Sequence, residues 1–264
     1  MNSKYNFFIL DLDGTVYVDG KPIEDIILQL NQLVNEGCTV VFLTNNTSVD
    51  KEVYVKKLYD LGLSFVGHRN IITPVDIFID YCKLKNINSA YYLLPKLVVN
   101  NIEANSGPVH ENINPEIVLV GFDKELTYSK LQTASEFINN GIPYYITHID
   151  YACPSVKGPI PDCGAIASTI LHTTETEPIN HFGKPGELMA SHISAILNDS
   201  NNFNKSAVLI GDRYYTDIKL GSILKIDTVH VNTGEKNKLP EINYEPTYEF
   251  ENISEFIKWQ YISK

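Results

Sequence analysis

Asp11-Leu12-Asp13-Gly14-Thr15 sets two carboxylates two residues apart. In an extended segment, residues i and i+2 face the same way, so Asp11 and Asp13 can address one site. Carboxylates this close repel unless a cation lies between them or one holds a proton. Mg²⁺ takes hard oxygen ligands, often only one or two carboxylates besides phosphate and water. Gly14 frees the chain to turn away at this point. A solvated strand-to-loop turn uses the same residue types, so the motif alone leaves both readings open.

Three further groups bear on the choice. Gly211-Asp212-Arg213-Tyr214-Tyr215-Thr216-Asp217 adds two acids. A helix N-cap accounts for one of them but not easily for both. Thr44-Asn45-Asn46 offers hydroxyl and amide side chains and backbone N–H groups, which suit phosphate oxygens and also suit a plain turn. Lys184 stands between Gly183 and Pro185, a constrained setting for a cation that elsewhere is usually solvated. The joint pattern points to metal-assisted chemistry on a phosphate group.

The elements that must position these residues alternate along the chain. Phe7–Leu10 is a short continuous apolar run, as in a strand buried on both faces. Pro22 then starts a helical pattern, with Ile23, Ile26, Ile27, Leu30, Leu33 and Val34 on one face and Gly37 at the stop. Val40–Leu43 is a second apolar run, followed by a helix near Lys51–Leu61. Thr73-Pro74 reads as an N-cap with proline at the first helical position. Strands are predicted at Ala90–Leu94, Ile117–Val120, Tyr144–Thr147, Ala207–Ile210 and Thr228–Val231. Helices are predicted near Tyr128–Asn139, Ala165–His172, Glu187–Leu197 and Thr216–Leu224. This alternation implies an α/β fold with a parallel sheet and crossover helices. The acidic clusters then fall at strand carboxyl ends, where open α/β sheets bind ligands.

The 264 residues suit one large domain or two modest ones. A net charge of −11 argues against broad binding to nucleic acid or anionic lipid, which needs basic surface. The four cysteines form no C-x-x-C pair and are too few for a disulfide framework. The seven histidines show no zinc spacing. Residues 1–6 carry no signal-peptide pattern, and no apolar run is long enough to span a bilayer. A cytoplasmic protein with no nucleic-acid or membrane partner is expected.

Asp11-Leu12-Asp13-Gly14-Thr15, Thr44-Asn45, Lys184 and Gly211-Asp212 with Asp217 resemble, in order, the four motifs of haloacid dehalogenase superfamily phosphatases. Gly121-Phe122-Asp123, Thr127–Leu131, Gly158–Pro161 and Gly183-Lys184-Pro185 resemble the NagD-like group, which includes p-nitrophenyl phosphatases. The resemblance covers nearly the whole chain. It implies a Rossmann-like parallel-sheet core, residues 1–74 and 180–264, with an inserted α/β cap of the second type, residues 75–179. Such a cap excludes water and supplies specificity, and its opening can limit turnover.

The resemblance also implies roles. Asp11 is expected to be the nucleophile that forms an aspartyl-phosphate, and Asp13 the general acid and then base. Thr44 and Asn45 are expected to bind the phosphoryl group, and Lys184 to neutralise Asp11 and the phosphate. Asp11, the Asp13 carbonyl and Asp212 are expected to hold Mg²⁺, with Asp217 orienting this shell. The expected substrate is a small-molecule phosphate ester such as a nucleoside monophosphate or a sugar phosphate. Homodimers through the cap are common in the group. A phosphomutase or phosphotransferase would share the paired acids. A non-catalytic phosphometabolite-binding protein could also occupy this fold.

Two segments depart from the group's pattern. The usual Thr-Asn-x-Asp reads Thr147-His148-Ile149-Asp150, with Pro154 after it, and Asp162-Cys163-Gly164 replaces small residues before the glycine. His148 or Asp162 contacting the leaving group would alter substrate preference. A satisfied turn histidine is the equal alternative.

Overall fold

The computed structural model describes residues 4–18, 20–155, 157–199, 206–234 and 244–262. The chain divides into two compact units. One comprises Met1–Thr44, Lys51–Ile72 and Ala190–Lys264, and the other Asn45–Asp50 and Thr73–Met189. The second unit thus takes in Asn45–Asp50, Thr73-Pro74 and residues 180–189, where Asn45, Thr47 and Phe182 bond and pack.

In chain order, the first unit opens with β1 (Phe7–Asp11), the two-residue strands β2 (Tyr17–Val18) and β3 (Lys21–Pro22), and α1 (Ile26–Asn35). It continues through β4 (Thr39–Leu43), α2 (Lys51–Asp60) and β5 (Ile71–Ile72). The second unit holds α3 (Pro74–Lys85), β6 (Ser89–Leu93), α4 (Lys96–Ala104), β7 (Val109–His110) and β8 (Ile117–Val120). It also holds α5 (Tyr128–Asn139), β9 (Tyr144–Ile146), β10 (Ala152–Cys153), β11 (Ile160–Pro161) and α6 (Cys163–Thr174). The chain returns within α7 (Glu187–Leu197) to β12 (Ala207–Gly211), α8 (Lys219–Leu224), β13 (Asp227–Val231), β14 (Tyr248–Phe250) and α9 (Ile253–Ile262).

The first unit is built on a six-stranded sheet in the order β14-β13-β12-β1-β4-β5, parallel throughout. All five residues of β1 are buried, as the continuous apolar run requires of a central parallel strand. Chain order runs outward on one side of β1 through β4 and β5, and on the other through β12, β13 and β14. The switch of direction falls at β1, so its carboxyl end is the crevice where ligands bind in such sheets. The second unit has its own parallel sheet, β7-β6-β8-β9. Its core joins Leu93, Val118, Val120 and Ile146 of the sheet to Ala134 and Ile138 of α5 and Ile166 and Ile170 of α6. The expected α/β class is what the chain forms.

Two local differences have physical causes. Pro22 does not begin a helix. It pairs with Tyr17 in the β2–β3 ribbon, and the Ile23 N–H bonds back to the Val16 carbonyl at 3.0 Å, so α1 starts only at Ile26. The predicted helix at Thr216–Leu224 begins instead as a π-helical turn, Tyr214–Ile218, before α8. Such turns recur at functional sites. Helix α3 starts where expected. The Thr73 side chain accepts from the Asp76 N–H, while the Asp76 carboxylate accepts from the Thr73 N–H at 2.8 Å.

Candidate active site

Asp11 ends β1, and Asp212 directly follows β12, its parallel neighbour. Asp217 enters from the π-helical turn that comes next. One carboxylate oxygen from each of the three lies within 4.8 Å of the others, and all three residues are buried. The backbone presses close around them. A Cβ at Gly14 (φ +97°) would lie 2.6 Å from Asp212 Oδ2, and one at Gly234 only 1.8 Å from it. A Cβ at Gly211 would lie 2.4 Å from Asp217 Oδ2. Only glycine allows these approaches. Asp217 Oδ2 accepts the Arg213 N–H at 3.2 Å, which fixes the carboxylate's direction.

The loop after β13 closes this arrangement and was not foreseen from the sequence. Thr233 donates its hydroxyl to the Gly14 carbonyl at 2.5 Å. Buried His230 reaches the Asp212 carbonyl with Nε2 at 2.9 Å. A carbonyl only accepts, so that nitrogen carries the proton. The Tyr214 ring lies against His230, centroids 4.2 Å apart, and its hydroxyl bonds to Glu249 on β14. These groups lacked a sequence signal because a single histidine in an apolar strand reads as core.

Asp13, two residues beyond Asp11, is exposed. It forms a bridge with Tyr17, whose carbonyl accepts the Gly14 N–H at 2.9 Å. Tyr17 is buried, and the Lys57 ammonium of α2 sits 3.2 Å above its ring centroid. Burial first, then the charge of Asp13, holds the Tyr17 hydroxyl above the usual tyrosine range. Burial lowers the Lys57 ammonium, and Asp13 works against that shift. Neither residue was a sequence candidate. Thr44, buried, ends the first segment of the first unit, and its N–H donates to the Ile72 carbonyl at 3.2 Å.

In the second unit, Asn45 and Lys184 come together. The Asn45 side chain accepts the Lys184 N–H at 2.7 Å and donates to the Lys184 carbonyl at 3.1 Å. The same amide nitrogen donates to Asp150 Oδ2 at 2.8 Å. Lys184 is itself buried, which is rare for lysine. The residue two places before it, Phe182, is clasped by Phe78, Tyr81 and Tyr145, centroids 5.3–5.6 Å away. His148 and Asp162 pair with each other at 2.8 Å and are both buried, so the satisfied reading of His148 describes this geometry.

The chemistry of the first unit's donor set suits a divalent cation: buried hard oxygens, converging from two neighbouring strand ends. A family model described as haloacid dehalogenase-like hydrolase matches residues 8–105, and one described as HAD-hydrolase-like matches residues 181–256. A solved 4-nitrophenylphosphatase from Thermotoga maritima is 33% identical, with a TM-score of 0.86 and 97% of each chain covered. The chain is a haloacid dehalogenase-like hydrolase. Within that family it falls in the NagD-like group of phosphatases. A solved protein described as a putative NagD protein is 30% identical, with a TM-score of 0.87 over 100% of both chains. The acid sugar phosphatase of Staphylococcus saprophyticus is 29% identical over 258 residues, 96% of this chain and 97% of that protein. Among the described residues, no helix of this hydrolase is long and apolar enough to cross a membrane.

Proposed function

We propose that this phosphatase hydrolyses small-molecule phosphate monoesters with Mg²⁺, through an aspartyl-phosphate on Asp11, and that sugar phosphates are its substrate class. The observation that carries the reading is the convergence of Asp11, Asp212 and Asp217 within 4.8 Å at the sheet's switch point. The relatives named as acid sugar phosphatases support the substrate class.

Asp11 attacks phosphorus, and the P–O bond to the leaving group breaks. Asp13, exposed beside it, donates its proton to the departing alkoxide. It then takes a proton from the water that attacks phosphorus, which frees inorganic phosphate and restores Asp11. Asp11, the Asp13 carbonyl and Asp212 would hold Mg²⁺, whose charge would offset that of the phosphoryl oxygens. Asp217, held by the Arg213 N–H, orients that shell. Thr44 binds the phosphoryl group with its hydroxyl. Asn45 does so through its backbone N–H, since its side-chain amide is already bonded to Lys184 and Asp150. Lys184 supplies the fixed positive charge. The core is residues 1–74 and 180–264, and the cap residues 75–179. The protein works in the cytoplasm, without nucleic-acid or membrane partners, as a homodimer.

The test is hydrolysis of p-nitrophenyl phosphate and a panel of sugar phosphates and nucleoside monophosphates, with Mg²⁺ and with EDTA, for wild type and Asp11→Asn. Metal-dependent turnover that the variant loses supports the reading. Equal turnover in both proteins removes Asp11 as nucleophile. A transferred phosphate found on a second alcohol instead of water would make the protein a phosphotransferase.

A further inference from the structure

The buried His148–Asp162 pair, where this chain departs from its group, lies against the loop that carries Lys184. Both ring nitrogens of His148 are committed: Nδ1 to the Thr147 hydroxyl at 2.9 Å and Nε2 to Asp162 Oδ1 at 2.8 Å. Asp162 caps α6, and the same oxygen accepts the Cys163 N–H at 2.6 Å. Helix, turn and imidazole are therefore one bonded unit. The turn is tied again where the Gly164 N–H meets the Asp150 carbonyl at 2.8 Å.

That unit reaches Lys184 by two routes. First, a Cβ at Gly183 would lie 2.7 Å from His148 Cβ, 2.9 Å from the Thr147 carbonyl oxygen and 2.6 Å from Asn45 Oδ1. Gly183 is thus packed directly against His148, Thr147 and Asn45. Second, Asp150, on the same turn, accepts from the Asn45 amide that clamps both backbone groups of Lys184. His148 is 0% exposed and Asp162 5%, and both ring nitrogens and Asp162 Oδ1 already have protein partners.

We propose that His148 and Asp162 are positioning residues for Lys184. They fix the turn Thr147–Asp150, and through Gly183 and Asn45 that turn fixes the backbone from which the lysine projects. This inference rests on Lys184 acting on the phosphoryl group, as proposed above. A lysine held this way has little freedom to lose when it meets an anion, which is the advantage of a pre-oriented group. Asparagine at position 148, the group's usual residue, also carries an acceptor and donors, but on a shorter side chain that reaches less far from the backbone than Nε2 does, and a small residue at 162 would offer it no carboxylate. The lysine's position in this chain therefore depends on a pair that the group's usual residues would not form.

The experiment compares wild type, His148→Ala, His148→Gln and Asp162→Asn on p-nitrophenyl phosphate and on three natural ester classes, with melting temperature measured alongside. His148→Ala is expected to lower kcat about 10- to 100-fold, by the same factor for every ester, with KM moved much less. Asp162→Asn keeps an acceptor for Nε2 and is expected to retain most of the activity. In a Lys184→Ala background, His148→Ala is expected to cost nothing further. Unchanged kcat with only a lower melting temperature would make the pair purely structural. A loss that differs between esters would make His148 a substrate contact. A full extra loss in the Lys184→Ala background would also overturn the assignment. Should His148→Ala fail to fold, His148→Gln decides by the same readouts, with kcat expected to fall alike for every ester. Wild-type turnover with metal and its loss in Asp11→Asn test the phosphatase reading separately.

Discussion

Around Asp11, Asp212 and Asp217, three carboxylates crowd within 4.8 Å of one another in a buried setting. Around Lys184, a buried cation's backbone is held by Asn45, which also bonds Asp150, and the neighbouring His148 has both ring nitrogens engaged. Two unit charges about 4 Å apart interact by about 4 kcal/mol at an effective dielectric of about 20. In the first region that term is repulsive and a cation reverses its sign. In the second, donors and acceptors match one another, and what results is a fixed geometry. The first region offers a donor set that a cation would complete, and the second is held by bonds of the protein's own.

The sharpest way to break the first half of that comparison is to fill the space beside the acids. Gly211→Ala would put a methyl group 2.2 Å from Asp217 Cγ, and something must move. Turnover on p-nitrophenyl phosphate is expected to fall by at least about 100-fold, the scale of a 1 Å misplacement. Full activity in Gly211→Ala would mean that the direction of Asp217 is unimportant. A somewhat smaller effect is expected from Asp212→Asn, read without substrate. Mg²⁺ at about 100 times its dissociation constant should stabilise the wild type by about 2.7 kcal/mol, and this gain should vanish in the variant. Denaturant unfolding with and without Mg²⁺ measures it. An Asp212→Asn protein that still gains the full stabilisation would remove Asp212 from the metal shell. Asn45→Ala, in the other region, is expected to weaken the protein equally with and without the ion.

The two regions also differed in how much of them could be read from the chain. Asp11, Asp13, Asp212 and Asp217 announce themselves because acids directly after apolar runs are unusual and their spacing is local. Asn45 and Lys184 were singled out as separate signals, but their bond joins residues 139 apart, which no local pattern encodes. His148 and Asp162 were noticed only as departures, and their pairing followed from neither spacing nor composition. The parallel sheet was legible from runs such as Phe7–Leu10, buried on both faces. The two-residue strands β2, β3, β5, β7, β10 and β11 were not, since two residues show no period. Helix α9 did carry a signal, with Ile253, Phe256, Ile257 and Gln260 buried at helical spacing, and was overlooked. Lys57 over Tyr17 joins a helix to the β2 strand 40 positions away and has no sequence signature.

Alkaline pH probes the second unit by a different route from metal. Burial pushes the Cys82 and Cys163 thiols up to about 12. In the unfolded chain a thiol ionises near about 8.5. A group whose folded value is raised contributes stability that is full below the unfolded value and is lost as pH rises towards the folded one. By pH 10, partway through that window, these thiols should therefore withdraw on the order of 1–2 kcal/mol each. Denaturant unfolding at pH 8 and pH 10, for wild type and Cys163→Ala, measures this. The variant should lose less stability across that interval, and an identical loss would show that Cys163 is not the titrating group.

The smallest effect expected lies where the chain passes from β5 into α3, at the start of the second unit's long segment. Thr73 and Asp76 satisfy each other's backbone N–H groups there, and Pro74 needs no partner for its own nitrogen. Thr73→Ala removes the side-chain acceptor for the Asp76 N–H but leaves the Asp76 carboxylate on the residue 73 N–H. About 1 kcal/mol of stability should be lost, seen as a lower denaturant midpoint at unchanged slope. Kinetic constants on p-nitrophenyl phosphate should stay within about twofold, since the substitution leaves the acids and the Asn45–Lys184 bonds in place. A large fall in kcat would mean that the entry of α3 helps to set the Phe78 side of the aromatic clasp on Phe182, and through it the loop of Lys184. That outcome would extend the pre-formed region from the His148 turn to the helix that opens the unit, and the contrast with the acid cluster would become sharper.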